Sequence, residues 1–284
     1  MGNKVIYCSF LVLLFVTFVP GISSHDHDRA DDVLRLPSMK QHQDGENHVA
    51  GGTDKELGDV KKAFATMKDF EVGITRAFYI PYVDRPSFGF FPGERTRSIP
   101  VSTKAVSQLH RSSFPLDPDS PLAAAFKRAL EFCEFQPPKG EVNVCATSLE
   151  SLLEFASSAF GLEYTAGKTR ILTSPPVPKS NRRLQNYTVV ESKVVESGKM
   201  IPCHFQPYPY PMYYCHFELG GTNKLFRVSL SSDKGDKITA VFVCHMHTSS
   251  SDAHHDSYAK LGFKTGQSEV CHLLPPHDMV VLPK

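Results

Sequence analysis

The chain has 284 residues, with 31 Lys+Arg against 30 Asp+Glu and a formal net charge of +1, a balance that leaves no basic footprint for nucleic acid. Apolar residues make up 41 % and charged residues 21 %, which excludes global disorder and allows a packed core. Twenty Phe, ten Tyr, 21 Pro and no Trp point to a β-rich, loop-rich body rather than a helical bundle.

Residues 1–24 read as a secretory signal. Lys4 supplies the positive charge, Val5 to Val19 is apolar apart from Tyr7, Cys8, Ser9 and Thr17, and Gly21 and Ser23 are small residues two apart before Ser24. An apolar run of about 15 residues falls short of the roughly 20 that a membrane-spanning helix needs, and no later stretch is as long, so the mature chain is expected off the membrane. Myristoylation at Gly2 is disfavoured because Ile6 stands where Ser or Thr is required.

Residues 25–62 differ from everything after them: nine Asp/Glu, six Lys/Arg, four His, and no Phe, Tyr, Trp or Ile. Such a stretch cannot bury enough apolar surface to order itself, so a disordered acidic tail is expected, with His25, His27, His42 and His48 as solvated side chains.

From Ala63 to Lys284 the aromatic and β-branched density rises and stays high. Ser120-Pro121 offers an N-cap and a proline at the first helical position. Leu122, Phe126, Ala129, Leu130 and Cys133 then share one face. A second helix opens on Thr147-Ser148-Leu149-Glu150, read as a capping box; its stripe is Leu149, Leu152, Leu153, Ala156 and Phe160, and Gly161 stops it. After Gly161 come short strands: Val189–Val195, Leu225–Leu230, Ile238–Val243 and Met279–Leu282. The fold class read from this is α+β: one disulfide-stapled domain, two helices followed by a β-rich second half. Asn186-Tyr187-Thr188 is an N-glycosylation sequon.

Loss of the signal removes Cys8 and leaves Cys133, Cys145, Cys203, Cys215, Cys244 and Cys271. An even count in an oxidising compartment predicts disulfides, with 15 full pairings that arithmetic does not separate. Cys133 ends one helix and Cys145 precedes the next, close enough for a short loop to bring their backbones together and for the two to pair; the other four would pair among themselves.

Four of these cysteines are followed directly by histidine: Cys203-His204, Cys215-His216, Cys244-His245 and Cys271-His272. Random placement would give about 0.3 such dipeptides. The intervals are ten, 27 and 25 residues, unlike the two-to-four-residue knuckles of structural zinc sites. In a strand, successive side chains face opposite ways. Each Cys can therefore turn into the core while its His faces a cleft, and His247 would share the face of His245. Imidazole-rich sites suit copper or zinc, and Cu²⁺ binds them most tightly among the divalent ions; the competing reading is four half-cystines with polar neighbours.

The spaced pairs resemble the signature of the plant BURP-domain family. Phe91-Pro92-Gly93-Glu94 leading to Ser98-Ile99-Pro100-Val101-Ser102 is similar to the family's segment before its first helix. Glu131-Phe132-Cys133-Glu134 and Cys145-Ala146-Thr147-Ser148-Leu149-Glu150-Ser151 resemble its upstream cysteine segments. Ala63-Phe64 stands where members commonly carry a double Phe, with Asp69 and Gly73 at the acidic and glycine positions that follow.

The resemblance implies a secreted protein, in the apoplast and cell wall or in the protein storage vacuole. The family includes a non-catalytic polygalacturonase subunit, stress and seed proteins, and copper-dependent peptide cyclases. It implies copper ligation by His204, His216, His245 and His272, with their cysteines in disulfides. The expected partner of a non-catalytic member is a wall polysaccharide or wall protein; that of a cyclase is a Tyr-bearing peptide. The tail carries no Tyr or Trp, which favours the non-catalytic role. Arg76-Ala77-Phe78-Tyr79-Ile80-Pro81-Tyr82 is the one core-peptide candidate. The Tyr-rich run from Phe205 to Tyr214 is either a glycan or peptide face or a loop with its aromatics packed beneath it, the second being favoured. No G-x-S-x-G, P-loop or H-E-x-x-H is present.

Overall fold

Strand alternation and two capped helices account for the architecture of the computed structural model. It describes residues 64–80, 90, 101–104, 117, 119–137, 139–161, 166–177, 184–221, 223–246 and 269–284, all within the unit Glu46–Lys284. The expected signal at residues 1–24, the expected acidic tail at residues 25–62 with its four histidines, and His247 lie outside the described residues.

Helix α1 (Pro121–Glu134) starts where expected: the Ser120 hydroxyl accepts from Ala123 N at 3.1 Å, and Pro121 occupies the first turn, where its missing N–H costs nothing. Helix α2 (Leu149–Phe160) is capped by Ser148 rather than Thr147, and the box closes through Ser151. Leu149, assigned to the apolar stripe, is instead 45 % exposed, because in the first turn it points off the face carrying Leu152, Ala156 and Phe160. Gly161 ends the helix at φ +68°, a left-handed conformation that other residues rarely adopt.

Eleven strands are described: β1 (Phe64–Ala65), β2 (Thr75–Tyr79), β3 (Glu141–Ala146), β4 (Thr169–Leu172), β5 (Leu184–Gly198), β6 (Ile201–Gln206), β7 (Met212–Glu218), β8 (Asn223–Ser232), β9 (Lys237–His245), β10 (Val270–Leu274) and β11 (Met279–Pro283). The α+β class holds, yet the order does not run from helices to strands: β1 and β2 precede α1, and β3 lies between the helices. All pairings are antiparallel, in a six-stranded sheet ordered β1-β10-β9-β8-β5-β2 and a five-stranded sheet ordered β3-β7-β6-β11-β4.

The central strands of each sheet have both faces buried, so strands such as β7 and β9 are apolar nearly throughout. Between the sheets, Leu225, Val241, Val243 and Leu274 meet Val280 and Leu282. The opposite face of the larger sheet holds Phe226 and Phe242 against Phe70, whose ring centroid lies 4.6 Å from that of Phe242. The opposite face of the smaller sheet is covered by Leu152, Ala156 and Phe160 of α2.

The described cysteines form three disulfides, with Cys133 joined to Cys145 and the other four paired among themselves, as expected. Cys133–Cys145 joins the end of α1 to β3, Cys203–Cys215 joins β6 to β7, and Cys244–Cys271 joins β9 to β10. Polar contacts cross between the sheets where disulfides do not. Arg170 of β4 pairs with Glu196 of β5, and the Ser174 hydroxyl donates to the Leu274 carbonyl while accepting from Val241 N at 3.2 Å. Among the described residues no helix is long and apolar enough to span a membrane.

Candidate metal centre

The two strand-to-strand disulfides join residues directly opposite in register: Cys203 with Cys215, and Cys271 with Cys244. The histidine that follows each cysteine therefore points to the other face, and in an antiparallel pair the two histidines become diagonal neighbours. Diagonal positions lie about 7–8 Å apart at the backbone, within reach of ring side chains. The same local device occurs once per sheet. The cysteines sit in the apolar layers outside the sandwich, and the four imidazoles enter the space between the sheets.

There they form a closed ring. Centroid separations are 5.6 Å for His204–His216, 5.5 Å for His216–His245, 5.3 Å for His245–His272 and 5.2 Å for His272–His204. His204 and His216 come from the smaller sheet, and His245 and His272 from the larger. The expected cleft is not what forms. His216, His245 and His272 are 2 %, 2 % and 9 % exposed, and only His204, with 17 % of its side chain exposed, reaches toward solvent. The reason is that both sheet faces are covered, so alternation turns the rings into a sandwich interior instead of an open groove.

Each Nδ1 has an oxygen beside it. Asp278 Oδ2 lies 2.8 Å from His204 Nδ1, Glu141 Oε1 3.1 Å from His216 Nδ1, Glu218 Oε1 3.1 Å from His245 Nδ1, and the Leu273 carbonyl 3.1 Å from His272 Nδ1. Asp278 is itself buried, and its other oxygen accepts from Phe205 N at 2.9 Å. Burial, then the imidazoles of His204 and His245, hold His272 well below the usual imidazole range, so it is a neutral donor. Burial, then the Glu218 carboxylate, push Glu141 up to about 7.

The sequence reading did not find these carboxylates. Glu218 was within reach of it, being two residues beyond His216 on the same strand face. Asp278 and Glu141 carried no such signal, because a turn and a neighbouring strand bring them in.

His245 Nε2 and His272 Nε2 face each other at 3.2 Å. The Leu273 carbonyl can only accept, so His272 Nδ1 carries its ring's proton, and Glu218 asks the same of His245 Nδ1. With His245 neutral, two Nε2 lone pairs confront each other, an arrangement that a cation between them would relieve. Two nitrogens each about 2.0 Å from one ion stand about 2.8–3.3 Å apart from square-planar to tetrahedral angles. The donor set thus fits a metal. It is nevertheless not a finished coordination shell: among the described residues no group of three or more His, Cys, Asp or Glu side chains stands at metal-holding geometry. The rings lie nearly stacked, with 20–24° between planes for three of the four contacts, and the cysteines are spent in disulfides.

The remaining candidates fall elsewhere. Tyr208 and Tyr210 pack under α1 with Phe126 and Leu130, and Tyr213 and Tyr214 are buried, so the Tyr-rich run is a packed element. Tyr214 lies against the tetrad, its ring 5.8 Å from His216 and stacked on it. Arg76–Tyr79 is the greater part of β2, paired residue by residue with β5, and Phe78 is buried. Asn186, on β5 opposite Ala77, is exposed.

The BURP domain signature matches residues 63–283. Among curated proteins the chain is 38 % identical to BURP domain-containing protein BNM2C of Brassica napus over 85 % of this chain and 87 % of that one. It is 32 % identical to BURP domain protein USPL1 of Arabidopsis thaliana, over 78 % and 80 %. With BURP domain-containing protein 13 of rice it shares 35 % identity over 72 % of this chain, spanning 48 % of the rice protein. The fold with its paired Cys-His strands and these matches place the chain in the BURP domain family of plant proteins.

Proposed function

We propose that this chain is a secreted BURP-domain protein that works without turnover, in the cell wall or a storage vacuole, and that its four imidazoles hold one copper ion as a tie between the two sheets. The observation that carries this is the 3.2 Å confrontation of His245 Nε2 and His272 Nε2 inside a ring of four histidines drawn equally from both sheets. His204, His216, His245 and His272 would be the ligands. Asp278, Glu141, Glu218 and the Leu273 carbonyl orient them by holding Nδ1, as acceptors behind metal-bound histidines generally do.

A bound copper ion supplies one-electron chemistry and Lewis acidity; a non-catalytic role uses neither. Burial supports that role. Three rings are almost wholly covered, and the tyrosine that stacks on the ring, Tyr214, is buried, with its hydroxyl 3.1 Å from Asn143 Nδ2. The tail's lack of Tyr and Trp supports it also. The exposed Asn186 suits a glycan acquired during secretion. A wall polysaccharide or wall protein is the partner this reading implies.

The test is intact-mass and metal analysis of the protein secreted from plant cells. One copper per chain, a glycan at Asn186 and no loss of hydrogen are expected. A loss of two or four hydrogens in one tryptic peptide, or in an added Tyr-containing peptide, would replace this reading with a copper-dependent peptide cyclase.

A further inference from the structure

We propose that Asp278 and Glu218 set the ion specificity of the tetrad, making it favour a divalent ion such as Cu²⁺ over monovalent Cu⁺. This rests on the reading that the tetrad binds a metal. Neutral imidazoles supply lone pairs but no charge, so the charge that meets the ion comes from the groups behind them. Asp278, 1 % exposed, sits 2.8 Å from His204 Nδ1, and Glu218 sits 3.1 Å from His245 Nδ1. Two carboxylates and one divalent ion cancel. A monovalent ion leaves one buried negative charge uncompensated, and in an interior of low dielectric that is costly.

The two carboxylates stand on different sides of the ring. Asp278 precedes β11 and reaches His204 within the smaller sheet, whereas Glu218 ends β7 and crosses to His245 of the larger one. Glu218 also has a made place. Its side chain folds across Gly221, where an added Cβ would come within 2.6 Å of the Glu218 Cβ. Any larger residue at 221 must therefore push the carboxylate from its seat. That close approach gives Gly221 a reason to be glycine that lies outside the backbone itself.

The experiment uses the full secreted chain, loaded with Cu²⁺ or with Cu⁺, and measures both dissociation constants by competition with chromophoric chelators, together with the Cu²⁺/Cu⁺ potential. Glu218→Gln keeps an oxygen acceptor for His245 and removes only charge. It should weaken Cu²⁺ binding by about 10–100-fold and lower the Cu²⁺/Cu⁺ affinity ratio by about tenfold, read as a potential raised by about 59 mV. Gly221→Ala, which displaces the carboxylate without removing it, should move the ratio the same way. Asp278→Asn should also lower it; if that variant is not secreted, the other two decide.

A ratio unchanged within threefold in Glu218→Gln overturns the proposal, even where both affinities fall together, because an equal loss means the carboxylate only positions its histidine. Wild-type protein that takes up neither ion overturns it along with the metal-site reading, so the two failures are told apart by the wild type alone.

Discussion

If one ion ties two sheets that no disulfide connects, metal should stabilise the domain through the tetrad and through nothing else. The perturbation is addition of Cu²⁺ to metal-free protein, in wild type, His245→Ala and His42→Ala. Each sheet contributes two ligands, so separating the sheets must release the ion, and binding energy becomes folding energy. At a free ion concentration a thousand times Kd the stabilisation is about 4 kcal/mol, provided the unfolded chain binds nothing. For a domain of 150–250 residues each kcal/mol moves Tm by about 2–4 °C, so the rise is about 8–16 °C. That is an upper value. The disulfides survive heating and keep His204 near His216, and His245 near His272, in the unfolded chain, which retains part of its affinity. Differential scanning fluorimetry with and without the ion reads the increment directly, and it is the increment that matters, since His245→Ala also lowers the metal-free Tm by emptying a buried position. His42→Ala should match wild type. An increment in His245→Ala as large as in wild type, or none in wild type, refutes the inter-sheet tie.

Unfolding the unreduced protein and labelling with a thiol reagent should find no reactive thiol at Cys133, Cys145, Cys203, Cys215, Cys244 or Cys271; two or more labelled residues among them would contradict the pairing. Replacing Cys203 and Cys215 together by Ser removes a loop closure of 12 residues, and Cys244 with Cys271 one of 27, so calorimetry should show losses of roughly 3–4 kcal/mol each, the larger for the longer loop. Phe242→Ala deletes a fully buried ring that touches Phe70 and Phe78 and should cost about 3–5 kcal/mol in urea denaturation; a loss below 1 kcal/mol would mean that the layer collapses around the gap. In metal-free protein two groups oppose each other with pH. His272 has its folded pKa below the ordinary value of about 6.5, so its contribution is present above that pH and is lost as pH falls below it. Glu141 has its folded pKa raised from 4.5 to about 7, so its protonated form gains stability as pH falls through that window. Glu141→Gln removes the second trend, and its Tm should fall more steeply than that of wild type between pH 7 and 5; parallel profiles would show that Glu141 does not titrate there.

What was legible in the sequence was what local chemistry decides. Ser120-Pro121 and Gly161 mark helix ends because capping is settled within a turn, and the Cys-His dipeptides mark a site because alternation is a property of one strand. The strands that went unread show the limit. β6 and β7 contain the Cys-His pairs themselves, but they are buried on both faces and so lack the apolar–polar alternation that announces a strand. β3 is partly buried along most of its length and lies between two helices, where propensity says little. The depth of the site was misjudged for a related reason. A strand shows which side a histidine faces, while the layer that covers that side is supplied by the facing sheet, whose strands are far away in sequence.

Why a cysteine should precede each histidine, and not follow at some convenient distance, is answered by register. A disulfide between opposite residues fixes the pairing of two strands, and the side-chain period of two then fixes the face of every neighbour. With Cys203 held against Cys215, His204 and His216 have no freedom to leave the inner face, nor have His245 and His272 once Cys244 is held against Cys271. A slip of one residue in either strand pair would turn one of its imidazoles into the apolar layer and one of its cysteines into the ring. The covalent bonds therefore do more than limit the unfolded ensemble. They convert a choice of register, which a flat and uniformly apolar sheet specifies weakly, into one arrangement of the four rings. The intervals of ten, 27 and 25 residues are free to be long because the adjacent dipeptide, and not the loop, carries the geometry. The first spans a short connection rich in Pro and Tyr that packs under α1, and the middle one runs through β8 before reaching β9.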